Sequence, residues 1–285
     1  MVFLCCSPDA NYTATAKDTA KKQSDDGTVP LPTMEEFEPE KERMRQMAII
    51  GHITPTTARV WVKVPSVGTY VLCISPKPFL GNSSDLYDLG GEEVATYFAG
   101  KCVTRSHKFD DPEMLNHCYH FSDLEEDTTY YYILCAEKGT EVSGSCRTVL
   151  GDSSQEYFST AKSDPSEISV CAFSCHDPYS WTADEANTGA WPQLFSVRDD
   201  IDVCLAGGDQ IYVDSNEIGC TDLWVFMRDN LAAFKANYYS NGKIIDEDGL
   251  REYLTKLIRQ YYDIYWNIPS LQGVMGRVPM YMIWE

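Results

Sequence analysis

Two short stretches of this chain carry side chains suited to holding a metal ion. Ser174-Cys175-His176-Asp177 offers a thiol, an imidazole and a carboxylate, and Gly208-Asp209-Gln210-Ile211-Tyr212 offers a carboxylate and a phenol. Each group has an ordinary reading on its own. A cysteine at the end of a strand is usually a small buried hydrophobe. Tyr212 alone fits a core, and an aspartate after two glycines fits a turn cap. What favours chemistry is their joint position, because each stretch follows a short apolar run and the two would meet at one place.

The elements that must position them are legible as strand, loop, helix, strand, loop. Residues 168–173 and 201–206 are apolar runs of the kind buried on both faces of a sheet. A short helix over 192–198 lies between them, giving a βαβ unit with a right-handed crossover. Ligands of open α/β sheets gather beyond the carboxyl ends of the strands, so two such ends point to one metal site. Gly207 and Gly208 read as permitting close backbone approach, since no phosphate-loop spacing is present. Asp177 and Asp214 read as solvated loop carboxylates.

Upstream, residues 48–53, 58–64, 69–74, 101–106, 115–121 and 129–136 read as strands, and a small β-sandwich over 46–162 is expected. Leu124 to Tyr130 matches the L-x-P-x-T-x-Y corner of fibronectin type III-like sandwiches, with Glu126 in place of the proline. His107, His117 and His120 read as ordinary strand and loop residues. Residues 161–167 form a polar linker to the second unit, 168–285. Residues 1–45 are polar and mixed in charge, which predicts a disordered arm, with a short helix over 35–47 leading into the fold.

Downstream, Thr221-Asp222 can cap one helix carrying Leu223, Trp224, Met227, Leu231 and Phe234, and Asn241-Gly242 breaks it. A second helix over 248–266 places Leu250, Tyr253, Leu254, Leu257, Ile258, Tyr261 and Ile264 on one face, with its tyrosines packing. Residues 278–284 read as a further buried strand.

The chain has 285 residues and a net charge of −20, from 23 basic and 43 acidic residues. That balance argues against general binding to nucleic acid or anionic membranes, and a phosphorylated substrate needs a local cation. The eleven cysteines include no C-x-x-C pair, so a zinc finger is not indicated. Cys73, Cys171 and Cys204 sit in apolar runs, and most thiols are expected reduced. Pairing among Cys102, Cys118, Cys135 and Cys146 is the alternative for a secreted chain. No secretory leader or membrane span is recognised at 1–10 or elsewhere, although Cys5-Cys6 offers a palmitoylation site. The expected location is cytoplasmic, with extracellular or membrane-peripheral placement as alternatives.

These residues resemble the PhoD-type alkaline phosphatase/phosphodiesterase family. The resemblance runs from Gly51 to Trp61, through Phe173-Ser174-Cys175 and Gly208 to Tyr212, to Tyr261, Tyr262 and Trp266, and to Val278 through Trp284. It implies a fibronectin III-like β-sandwich followed by part of a metallophosphatase α/β sandwich. It also implies a centre of ferric iron and calcium ions, or other divalent metals, with Cys175, Asp209 and Tyr212 as ligands. Thiolate, phenolate and carboxylate suit a hard, highly charged ion, and a carboxylate can bridge to a second cation. Asp209 and His176 are the candidate catalytic residues, His176 as proton donor or phosphate contact. The implied activity is hydrolysis of a phosphate ester by metal-activated water.

The family continues past this last strand as W-D-D-H-E, whereas Trp284 is followed here by Glu285. The resemblance therefore implies an enzyme truncated after the first half of its catalytic domain, with self-association through the exposed half. The alternatives are a non-catalytic binding or scaffold isoform and a disulfide-bonded secreted adhesion protein.

Overall fold

The computed structural model describes residues 30–32, 46–78, 102–137, 140, 148–150, 156–177, 189–214 and 223–283. Strands β1 (Met47–Ile53), β2 (Ala58–Lys63) and β5 (Asn116–Phe121) form one antiparallel sheet, ordered β1-β2-β5. Strands β3 (Gly68–Ser75), β4 (Val103–Phe109), β6 (Thr129–Ala136) and β7 (Thr148–Leu150) form a second, ordered β4-β3-β6-β7. Strand β8 (Tyr157–Ser159) also pairs with β6. The two sheets enclose Ile50, Val60, Leu72, Ile74, Phe121 and Phe158, all fully buried. The corner works without its proline, because the Tyr130 hydroxyl accepts from the Glu125 N–H at 2.9 Å.

One departure from simple alternation has a clear cause. All of the first four residues of β1 are buried. Ala48 and Ile50 enter the sandwich core, while Met47 and Ile49 enter a second core shared with the α/β part. Trp61 of β2 packs on that second core too, its ring edge-on to Trp266 at 6.5 Å. The junction is also tied by the buried Tyr132 hydroxyl, which donates to the Gly276 carbonyl at 2.7 Å, and by the Lys63–Asp263 ion pair.

His107 and His117 stack with ring centroids 3.7 Å apart and planes within 8°. Phe109 and Tyr119 meet the pair edge-on. Burial, then the charge of His107, holds His117 below its ordinary value of 6.5. The unfolded chain therefore takes up this proton first, and the stability contributed by the neutral ring is lost as pH falls below about 6.5. Between about pH 7.5 and pH 5.5 the melting temperature of the native chain is expected to fall further, or rise less, than that of His117→Asn. Equal shifts in the two proteins would sink this account.

The α/β part is a parallel three-stranded sheet, β9 (Val170–Phe173), β10 (Val203–Ala206) and β13 (Met280–Met282), ordered β13-β10-β9. Helix α1 (Ala190–Val197) and a 3-10 turn (Arg198–Asp200) connect β9 to β10. Helices α2 (Leu223–Asp229), α3 (Leu231–Tyr238), α4 (Glu247–Tyr265) and α5 (Pro269–Met275) fill the stretch between β10 and β13. The hairpin β11 (Tyr239–Ser240) and β12 (Lys243–Ile244) separates α3 from α4. Asn241 and Gly242 at its tip have φ of 51° and 75°, the left-handed pair of a type I′ turn. Asp246 caps α4 by accepting from the Gly249 N–H at 2.9 Å.

Several expectations change here. Among the described residues, the strands of the parallel sheet are covered on one face. Phe173, Cys204, Ala206 and Met280 face the second core, whereas Val170, Leu205 and Tyr281 on the other face are 49%, 44% and 39% exposed. An apolar run records hydrophobicity but not which face finds a neighbour. The single helix expected over Leu223 to Phe234 is broken at Asn230, which leaves Trp224 and Leu231 exposed. Its expected cap, Thr221-Asp222, lies outside the described residues. The strand expected over 278–284 shortens to Met280–Met282, preceded by a helix that begins at Pro269. The arm is anchored where it is described: Pro32 is buried and its carbonyl accepts from the Tyr253 hydroxyl at 2.8 Å. Residues 1–29 and 33–45 lie outside the described residues, and Met47, the expected last residue of a helix over 35–47, begins β1 instead. Among those described, no helix is long and apolar enough to cross a membrane.

Candidate metal centre

Beyond their last paired residues, β9 and β10 stay side by side. The Gly207 N–H donates to the Phe173 carbonyl at 2.7 Å, and the Cys175 and His176 N–H groups reach the Gly208 and Asp209 carbonyls at 3.4 and 2.8 Å. These bonds lock the two loops in register. Gly208 has φ 116°, which side chains rarely adopt, and so requires glycine. Cys175 and Asp209 also have positive φ, 60° and 51°. A left-handed conformation at a residue other than glycine costs about 1–3 kcal/mol, and such residues cluster at functional sites.

The result is a convergence of the three candidate ligands on one atom. Asp209 Oδ2 accepts from the Tyr212 hydroxyl at 3.1 Å and lies 3.4 Å from Cys175 Sγ. Ser174 Oγ is 3.5 Å from the same sulfur. Burial pushes the Tyr212 phenol above its ordinary range, and its hydrogen bonds with Cys175 and Asp209 push it further. Without a cation, the phenol keeps its proton and shares it with the carboxylate.

His176 takes a different place. It is 7% exposed, with Nε2 donating to the Tyr265 carbonyl at 2.8 Å and Nδ1 accepting from the Trp191 indole N–H at 3.0 Å. Burial pushes it down to about 4, partly offset by the Tyr265 carbonyl. A neutral ring with both nitrogens engaged fastens the loop to α1 and α4, and proton transfer would break one of these bonds. Asp177 is half-buried and Asp214 exposed, so only Asp214 is solvated as expected.

The tyrosines of α4 also act on this site. Tyr261 and Tyr265 donate to the carbonyls of Val213 and Tyr212 at 3.2 and 3.3 Å, holding the loop that presents Tyr212. With Trp191 they are positioning residues that sequence reasoning assigned to packing or left without a role. Their helical spacing showed burial but could not show which backbone their polar ends would reach.

Other expectations can be placed. Among the described residues Cys73, Cys102, Cys118, Cys135, Cys171, Cys175 and Cys204 form no disulfide, and Cys146 lies outside them. No group of three or more His, Cys, Asp or Glu side chains is arranged to hold a metal among the described residues. The donor set is therefore one thiol, one carboxylate and one phenol. Its thiolate would be a soft ligand and its carboxylate a hard one.

No protein-family model matches this sequence, and no curated protein is similar to it in sequence. Among solved structures, one described as the structure of PhoD aligns with a TM-score of 0.46 at 12% identity, over 87% of this chain. The chain spans 40% of the length of that structure. A redesigned β-sandwich protein aligns over 42% of this chain and 91% of its own, with a TM-score of 0.27 and 16% identity. The fibronectin type III domain of human collagen alpha-1(XX) aligns over 46% and 92%, with 0.25 and 12%. At these identities and scores the alignments bear on no residue or reaction.

Proposed function

We propose that this chain carries part of the metal site of a PhoD-like, metal-dependent phosphoesterase, with ferric iron and calcium as its cations. The observation that carries the reading is the meeting of Cys175, Asp209 and Tyr212 at the carboxyl ends of two adjacent parallel strands. Those three side chains would hold the cation. A cation there acts as a Lewis acid, lowering the pKa of water and drawing in phosphoryl oxygens.

The chain's own residues do the remaining work. Left-handed backbone at Cys175 and Asp209 aims both side chains at one point. Tyr261, Tyr265 and His176 brace the two loops, so little reorganisation is required on loading. The net charge of −20 repels phosphate esters, which gives a local cation a second purpose.

The test is hydrolysis of bis-p-nitrophenyl phosphate by the full 285-residue chain, loaded with iron and calcium, before and after chelation. Turnover that chelator removes and metal restores is expected. Absence of turnover in the loaded protein would leave the phosphoesterase reading of this chain without support.

A second reading, a non-catalytic binding protein, draws on the exposed sheet face of Val170, Leu205 and Tyr281. Uncovered parallel sheets are unusual, and contiguous apolar surface tends to find a partner. Self-association that rises with concentration is expected by light scattering. A monodisperse monomer at all concentrations would remove that argument.

A further inference from the structure

A cavity of about 760 Å³ lies between the β-sandwich and α4. That is within the ~300–1,000 Å³ typical of sites for small organic ligands. Trp61, Tyr262 and Trp266 line it, and Cys175, Asp209 and Tyr212 do not. The Trp266 ring meets those of Trp61 and Tyr262 edge-on, at 6.5 and 4.8 Å. Three rings around one space suit a flat aromatic body.

The charges on the lining do not balance. Lys63 pairs with Asp263, and Lys256 pairs with Glu113 and Glu252. Arg259 also lines the cavity, is half-buried, and has no carboxylate partner among the described residues. Its contacts there are to neutral atoms, the Glu113 carbonyl and the Met114 sulfur, both at 3.0 Å. A guanidinium carries five N–H donors in a planar fork, so most of this one is left for an acceptor. Arg259, Tyr262 and Trp266 follow one another at helical spacing along α4, which sets the charge and two of the rings on one stripe. The wall thus holds one uncompensated positive charge in a chain of net charge −20. A dianion would meet that single cation against the field of the whole chain, whereas one carboxylate matches both its charge and its fork.

We propose that this cavity binds an aromatic monocarboxylate. Its carboxylate bonds to the Arg259 guanidinium, and its ring packs among Trp61, Tyr262 and Trp266. The site stands apart from the strand-end cluster, and its occupancy does not depend on the phosphoesterase reading.

The probes are 2-naphthoate and 2-naphthamide, which share one ring system and differ in charge. Both are titrated into the full chain and followed by ligand-observed saturation-transfer NMR. Saturable binding of 2-naphthoate is expected, with 2-naphthamide weaker by about fivefold or more. Arg259→Gln should erase the preference while 2-naphthamide still binds, and Arg259→Lys should retain part of it. Trp61→Ala should weaken both probes. If the variants do not fold, the ratio in the native chain decides. No saturable binding, equal binding of both probes to the native chain, or a preference that survives in Arg259→Gln would each overturn the proposal.

Discussion

Replacing Asp209 by Asn is expected to lower kcat/KM for bis-p-nitrophenyl phosphate by more than about 100-fold and to weaken iron binding in parallel. Loss of a residue that only orients a metal ligand typically costs ~10–100-fold, so a direct ligand should exceed that range. The geometry explains why Asp209 should be the most sensitive position. Its Oδ2 is the atom that both Tyr212 and Cys175 approach, at 3.1 and 3.4 Å. An amide keeps the shape but removes the negative charge that draws the cation. Its left-handed backbone is tolerated by Asn about as well as by Asp, so the fold should survive. Metal content by elemental analysis and an unchanged melting temperature in the unloaded protein check that only binding is lost. Normal metal content and activity in the variant would move the site elsewhere.

His176→Leu is expected to cost stability, on the order of 2–5 kcal/mol by urea titration, because it orphans two buried groups. The Trp191 indole N–H would lose its acceptor and the Tyr265 carbonyl its donor. Leucine fills much of the space but can pair with neither. Since Tyr265 also holds the Tyr212 carbonyl, the loop of the metal site should loosen with it. A loss under about 1 kcal/mol together with abolished turnover would restore the proton-transfer role read from the sequence. This experiment separates a brace from an acid, which neither residue type nor position does.

Much of the architecture could be read from residues alone because it depends on local chemistry. Alternation of apolar residues places six of the sandwich strands. Asn241-Gly242 reads as a break for the same reason, since left-handed turns are decided by a few neighbouring atoms, whereas the hairpin it tips and the Asp246 cap of α4 appear only in the structure. That the loops carrying Cys175 and Asp209 come together was legible for the same reason: strand ends in a parallel arrangement carry their loops to one side.

The features that escaped are those set by what lies across space. Whether β9 and β10 are covered on one face or two depends on where the helices dock, so Val170 and Leu205 look like core in the sequence and stand exposed in the fold. Met47 and Ile49 are buried because a second core lies behind β1, a neighbour more than 200 residues away in the chain. Residue type alone made Cys175, Asp209 and Tyr212 candidates. The tertiary structure decided that they converge and that His176 is spent on Trp191 and Tyr265. Hydrophobic pattern reports how much surface a residue wants buried, while partners and their distances come only from the packing of distant segments.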